Sequence, residues 1–119
     1  MDETTRPAGA EGKVVVTTLP AEIDITNITS TSVQLRASLA SGAEVVIADL
    51  TATTFCDCSG VRNLLLAHHQ AVAGHVQLRV ACSSPMVLRV IGLLGLSDQL
   101  AIYPSLGAAF MPTAASDES

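Results

Sequence analysis

The stretch that decides the fold is Phe55-Cys56-Asp57-Cys58-Ser59-Gly60-Val61. It follows a run typical of a buried strand, residues 44–50, and it precedes a run typical of an amphipathic helix, from about residue 60 to 73. Ser59 is therefore predicted to lie beside the positive end of a helix dipole and the unpaired N–H groups of the first turn. Such a place tolerates or favours an added phosphate, so the first hypothesis is a small switch protein phosphorylated on Ser59.

Length and composition predict one domain with an aliphatic core. The chain has 119 residues, of which 49% are hydrophobic and only 3% aromatic. No run approaches the roughly 20 apolar residues that span a membrane, and the polar, acidic N-terminus does not resemble a signal peptide. The three Cys without a secretory signal fit free thiols in a reducing cytoplasm, so we expect a cytoplasmic protein.

Five of the eleven acidic residues lie in the two ends of the chain. The net charge is -5, but residues 14–112 contain six acidic residues and four Arg, so the body is nearly neutral. Without a basic stripe, nucleic acid and anionic membranes are poor candidates as partners. Residues 1–13 and 113–119 are small, polar and acidic, and we expect them to be disordered tails around a domain at 14–112.

The body of the chain alternates strand patterns with helix patterns in the order ββαβαβαβα. The predicted strands are 14–19, 22–26, 45–50, 75–81 and 100–103. The predicted helices are 29–40, 60–73, a helix from Pro85 to Gly95 with Ser84 as its N-cap, and 105–110. This order predicts a single α/β domain with a mixed, mostly parallel sheet covered by helices. The pattern does not decide whether the helices cover one face or both.

Over residues 14–110 the chain resembles a STAS domain of the anti-sigma factor antagonist family. The family's Phe-x-Asp-Ser-Ser-Gly motif, with an aliphatic residue after it, corresponds to residues 55–61. Its Gly-Glu-Leu-Asp pattern corresponds to Ala21-Glu22-Ile23-Asp24, and its later Gly-Leu with following acids to Gly95-Leu96-Ser97-Asp98. There are two departures: Cys58 replaces the first motif Ser, and Ala21 replaces a Gly. The family's phosphorylated Ser, just before the Gly, is retained as Ser59.

The resemblance implies a partner-switching role. The unphosphorylated protein would bind an anti-sigma factor that is also a serine kinase of the histidine-kinase-like ATPase fold, and so free the sigma factor. Phosphorylation of Ser59 would break the complex, and a serine phosphatase would restore it. The chain itself would catalyse nothing and hold no cofactor, because ATP belongs to the partner. One alternative stays open, namely a STAS scaffold in a larger signalling assembly without direct sigma-factor control.

The candidate partner-binding residues surround Ser59. They are Asp24, Asp57, Cys58, Ser59, Arg62, Leu66 and His69. Asp57 either orients Ser59, contacts the kinase or only bonds to loop N–H groups. Asp24 has the same ambiguity, although its family position favours a role near the partner's nucleotide.

The helix after Ser59 is predicted to have a core face and an outer face. The core face is predicted to hold Val61, Leu64, Leu65, His68, Ala71 and Val72. Arg62, Leu66 and His69 lie opposite this stripe, with Leu66 as the apolar centre of a docking patch.

The cysteines support a second, enzymatic alternative only weakly. We expect Cys56, Cys58 and Cys82 to be small buried hydrophobes, with no fourth ligand to complete a zinc site. If the strands ending near residues 50 and 81 are neighbours, Cys56 or Cys58 could approach Cys82. Cys56 and Arg62 have the Cys-x5-Arg spacing of a cysteine-dependent phosphatase loop. Such a loop binds phosphate through its backbone N–H groups, and Asp57 would place a negative carboxylate among them. The Gly also lies one residue later than in that enzyme family, so no enzyme is expected.

Overall fold

The apolar run at 45–48, together with Asp49, forms an inner strand of a parallel sheet in the computed structural model, which describes residues 13–111. The predicted tails lie outside these residues, apart from Lys13. The elements, in chain order, are β1 (Val14–Thr18), β2 (Glu22–Ile23), α1 (Ile28–Leu39), β3 (Val45–Asp49), β4 (Phe55–Cys56), α2 (Cys58–Ala73), β5 (Gln77–Ala81), α3 (Pro85–Leu93), β6 (Ala101–Tyr103) and α4 (Leu106–Phe110).

The four longer strands form one parallel sheet in the order β1-β3-β5-β6. All five residues of β3 are buried, because the strand has a neighbour on each side and helices on both faces of the sheet. A parallel strand of this kind needs a crossover connection, and helices supply each one. The predicted α/β domain with a mostly parallel sheet is therefore confirmed.

The helices divide unequally between the two faces of the sheet. Leu35 of α1, Leu64 of α2 and Ile91 of α3 pack together with the strand residues Val46 and Val80 in the larger core. On the opposite face the short helix α4 covers a smaller cluster with Ile47, Ala81 and Ala109 at its centre. The question that the sequence pattern left open is thus settled, with three helices on one face and one on the other.

Arg79 fastens α4 to the sheet. Its side chain is only 4% exposed. Its guanidinium donates to the backbone oxygen of Ala109 at 2.8 Å and of Met111 at 3.2 Å. The Gln77 Oε1 atom accepts a further bond from it at 2.8 Å. A buried guanidinium must satisfy its donors, and here it does so with the Gln77 side chain and with carbonyl oxygens at the end of α4.

Two details of the predicted elements are wrong. The second strand ends at Ile23 and not at residue 26, because the Asp24 side chain accepts the Thr26 N–H at 2.9 Å in a turn that leads into α1. Residues 55–56, which lie outside every predicted strand, form the short strand β4 beside β2.

The core face of α2 is also rotated from its predicted position. Of the residues predicted on that face, Val61, Leu64 and Ala71 are buried, but Val72 is 59% exposed. Gly60 and Ala67, which the sequence pattern does not assign to the face, are buried as well. Because apolar residues occur on both sides of α2, apolarity alone does not determine which side is buried.

The start of α2 approaches β2 and β4 so closely that position 60 requires glycine. A Cβ atom there would overlap Cys56 Sγ and lie 2.9 Å from Ile23 Cγ2. Gly60 itself is buried, and both neighbouring side chains belong to the larger core. Neither can move aside without disturbing close-packed surroundings.

We expect Gly60→Ala to destabilise the domain by about 1–3 kcal/mol, the usual cost of overpacking a core. Gly92→Ala is the matched control, because the nearest atom to a Cβ there is Ser97 Oγ at 3.7 Å. Alanine should stabilise that helical position by about 0.5–1 kcal/mol. Urea unfolding followed by circular dichroism measures both variants. Equal stability of Gly60→Ala and the parent chain would contradict the close approach.

Candidate functional site

A two-stranded parallel ribbon places the segments of Asp24 and Asp57 side by side. In it Ile23 of β2 pairs with Cys56 of β4. The Asp57 N–H donates to the Ile23 carbonyl at 3.1 Å, which extends the ribbon by one residue. The buried Thr53 hydroxyl donates to the Pro20 carbonyl at 2.8 Å and ties the two segments together before the ribbon begins.

The Asp57 carboxylate is the N-cap of α2 and also holds Ser59. Its Oδ1 atom accepts the Gly60 N–H at 3.1 Å and the Ser59 hydroxyl at 2.6 Å. The Ser59 hydroxyl, followed by the backbone N–H groups of Gly60, Ser59 and Ile25, lowers the pKa of Asp57. The carboxylate is therefore ionised at neutral pH, and it orients the Ser59 hydroxyl directly.

Two N–H groups of the first turn of α2, those of Gly60 and Val61, are already engaged, so the expectation of unpaired donors beside Ser59 does not hold for them. The Asp57 carboxylate accepts the Gly60 N–H at 3.1 Å. The Val61 N–H donates to the Asp57 carbonyl at 3.2 Å. An anion arriving at this helix end would have to displace Asp57 to reach these donors.

Ser59 lines a groove between α1 and α2. This α1–α2 groove has a volume of about 400 Å³ and is lined by Ile28, Thr29, Ser32, Arg36, Ser59, Arg62, Asn63 and Leu66. The sequence predicts three of these residues as partner-binding, namely Ser59, Arg62 and Leu66, and Leu66 is 65% exposed. It misses the contribution of α1 and of Asn63. The contribution of α1 could have been predicted from the order of strands and helices, because two successive right-handed crossovers between adjacent parallel strands place their helices side by side.

The α1–α2 groove is positively charged. Arg36 enters its wall from α1 and Arg62 from α2, and no acidic side chain lines it. Within residues 13–111, neither guanidinium makes a hydrogen bond or an ion pair. Two cations facing one cavity without a counter-charge make it a favourable place for an anionic group.

The other predicted site residues lie outside the groove. Asp24 is half-buried in the turn after β2 and adjoins Asp57 through the ribbon. Cys58 is exposed at the first position of α2. His69 is exposed on the same helix face as Leu66, but ten residues of helix place it about 15 Å from Ser59 along the axis.

The three thiols occupy two different environments. Cys56 and Cys82 are 0% and 1% exposed, as the sequence predicts. Burial, with smaller contributions from Asp57 and the other two cysteines, raises the pKa of Cys56 to about 12. Burial likewise raises the pKa of Cys82. The expected burial of Cys58 is wrong, because the first residue of α2 lies at the exposed end of the helix. Within residues 13–111, no group of His, Cys, Asp or Glu could hold a metal ion.

Comparison with known proteins finds one family and several similar folds. The profile of the STAS domain family matches residues 7–109. An anti-sigma factor antagonist from Mycobacterium paratuberculosis is 26% identical, with 87% of this chain and 86% of that one covered and a TM-score of 0.77. The anti-sigma factor antagonist SpoIIAA in its unphosphorylated form is 20% identical, with coverages of 89% and 87% and a TM-score of 0.65.

The same fold also occurs in a protein of a different kind. A sulfate transporter family protein from Wolinella succinogenes is 13% identical, with coverages of 89% and 88% and a TM-score of 0.68. No curated protein matches the chain. Within residues 13–111, none of the helices combines the length and the apolar character needed to cross a bilayer.

We expect Asp57→Ala to lower the stability of the domain by the roughly 1 kcal/mol that a lost N-cap costs. The folded pKa of Asp57 is lowered, so its stabilising effect is full above the unfolded pKa, about 3.9, and disappears as the pH falls through the folded value. The difference between parent and variant, measured by urea unfolding at pH 7 and below pH 4, should shrink in acid. A difference that grows in acid would contradict the assignment.

We expect one thiol to react quickly with Ellman's reagent in the folded protein, because only Cys58 is exposed among the three. Cys58→Ser should abolish the fast phase, whereas Cys82→Ser, the matched control, should leave it unchanged. All three thiols should react after denaturation in urea. A fast phase that survives Cys58→Ser would show that a buried thiol is accessible.

Proposed function

The chain belongs to the STAS domain family, and we propose that it is an anti-sigma factor antagonist switched by phosphorylation of Ser59. The observation that carries the proposal is the Ser59 hydroxyl, held by the ionised Asp57 at 2.6 Å beside the α1–α2 groove. The 26% identity to the Mycobacterium paratuberculosis antagonist over most of both chains supports the same function.

The proposed partner is an anti-sigma factor that is also a serine kinase of the histidine-kinase-like ATPase fold. The unphosphorylated chain binds this partner and so frees a sigma factor in the bacterial cytoplasm. The surface proposed for binding includes Asp24, Asp57, Cys58, Ser59, Arg62, Leu66 and His69. Leu66 supplies exposed apolar area next to the guanidinium groups of Arg36 and Arg62, an arrangement that favours a partner surface combining apolar and acidic groups.

The hydrogen bond from Ser59 to Asp57 prepares the hydroxyl for phosphoryl transfer. It directs the hydroxyl proton toward Asp57 and leaves the lone pairs of Oγ free to attack. The bond from Oγ to the γ-phosphorus of the partner's ATP forms as the bond to the leaving ADP oxygen breaks, and the hydroxyl proton is released. Because its pKa is lowered, Asp57 is a weak base, and its proposed role is to position Ser59.

Phosphorylation then ends the complex. A phosphate adds roughly -1.5 to -2 charges at neutral pH, and these change the charge of the surface that meets the partner. A serine phosphatase acting on phospho-Ser59 would return the chain to its binding form.

We propose no catalytic activity for the chain itself. A cysteine-dependent phosphatase needs an accessible thiol with a lowered pKa. Cys56 is buried and its pKa is about 12, so it is protonated at neutral pH. Arg62, its counterpart in the Cys-x5-Arg spacing, lines the α1–α2 groove, whereas Cys56 lies within the core.

We expect Ser59→Ala to bind the kinase partner constitutively and Ser59→Asp to bind it poorly. The alanine variant, used as bait in extracts of the native host, should retain an ATPase of this fold, which is then identified and purified. With ATP, that partner should phosphorylate the parent chain on Ser59, as mapped by mass spectrometry. Ser84→Ala, which removes the N-cap hydroxyl of α3, is the matched control and should still be phosphorylated. Phosphate on Ser83 or Ser84 with Ser59 unmodified would refute the proposal.

A further inference from the structure

We propose that Arg36 and Arg62 form a receptor for the phosphate on Ser59, so that the phosphorylated side chain turns into the α1–α2 groove. This inference rests on the proposed function, because it presumes that Ser59 is the phosphorylated residue. It assigns to the two arginines a role within the chain itself, namely binding a phosphoryl group after it has been transferred.

Phosphorylation removes the contact that holds Ser59 in its present orientation. The hydroxyl proton that bridges Ser59 Oγ and Asp57 Oδ1 at 2.6 Å is lost when the phosphate is attached. The phosphate and the Asp57 carboxylate are then two anions at close range, and they repel each other. The side chain must rotate away from Asp57.

Asp57 already caps the start of α2. The Gly60 N–H donates to the Asp57 carboxylate at 3.1 Å, and the Val61 N–H donates to the Asp57 carbonyl. The Ser59 hydroxyl and the Gly60 N–H lower the pKa of Asp57 and so favour the ionised cap. A phosphate would have to remove that cap before it could use the same donors.

The groove provides donors for the phosphate, and Asp57 is not among its lining residues. Arg62 and Asn63 follow Ser59 by three and four residues on α2, so they share its helix face. Side chains on a helix point toward its N-terminus, so both extend back toward Ser59. Arg36 faces the same cavity from α1. Guanidinium groups bind phosphate oxygens in a two-pronged geometry, and neither arginine has to leave another partner within residues 13–111.

The positive charge of the two arginines matches the negative charge of the phosphate. Two guanidinium groups carry two positive charges, close to the -1.5 to -2 of a phosphate monoester. Once filled, the groove would be neutral and partly occupied. Phosphorylation would thereby withdraw both cations from any partner group that they bind in the unphosphorylated chain.

The test uses the full chain with phosphoserine incorporated genetically at position 59, so that no kinase is needed. The second pKa of the phosphate, about 6 when unperturbed, is measured by phosphorus NMR titration. We expect it to be lower by about one unit, as for an anion beside a guanidinium. Arg36→Gln and Arg62→Gln should each bring it back toward 6. Arg89→Gln, which removes an exposed cation from α3, should leave it lowered.

A second measurement separates the possible positions of the phosphate. In proton–nitrogen spectra the side-chain N–H signals of Arg36 and Arg62 should shift when Ser59 carries phosphate. A large shift of the Gly60 amide with unchanged arginine signals would place the phosphate at the helix end and overturn the proposal. An unperturbed phosphate pKa in the parent chain would overturn it too. Neither result would touch the proposed kinase reaction, whose failure would appear only as absent phosphorylation of Ser59.

Discussion

A single ionised carboxylate, that of Asp57, joins the segments on which the site depends. It accepts the N–H of Gly60 at the start of α2 and the hydroxyl of Ser59, and the backbone N–H of Asp57 itself donates to the Ile23 carbonyl of β2. This arrangement is possible only because Gly60 allows α2 to begin directly against β2 and β4. The orientation of Ser59, the position of the Asp24 turn and the start of the helix therefore depend on one another, and a change in one alters the others.

Much of the fold follows from patterns that local physics imposes. The apolar run Val45–Ala48 predicts a strand buried on both faces, and Ser84 before Pro85 predicts the start of α3. The ribbon of β2 and β4 could not be predicted in the same way. Each of its strands has two residues, too few for any periodicity, and they are held by pairing across 33 positions of sequence. The rotation of the core face of α2 could not be predicted either, because Val72 is as apolar as the residues that are buried.

The residues of the candidate site likewise divide into those that the sequence could reveal and those that it could not. Ser59 and Asp57 could be found from the motif, and Arg62 and Leu66 from the helical repeat that follows it. Arg36 could not, because it lies 23 residues before Ser59 and reaches the groove only through the packing of α1 against α2. The exposure of Cys58 also depends on how the helix end meets the sheet. The similar fold of a sulfate transporter family protein shows why such details matter. Because the scaffold is shared, a difference in function must come from individual residues such as those of the groove.

The fastening of α4 by Arg79 has a practical consequence. It fixes Met111 on the face of the sheet opposite the α1–α2 groove. A tether or fluorescent dye attached on that side would be separated from the groove by the full thickness of the sheet. A sensor chip that holds the molecule from the α4 side would therefore leave Ser59 and both groove arginines facing the solution, with no spacer needed to keep them clear.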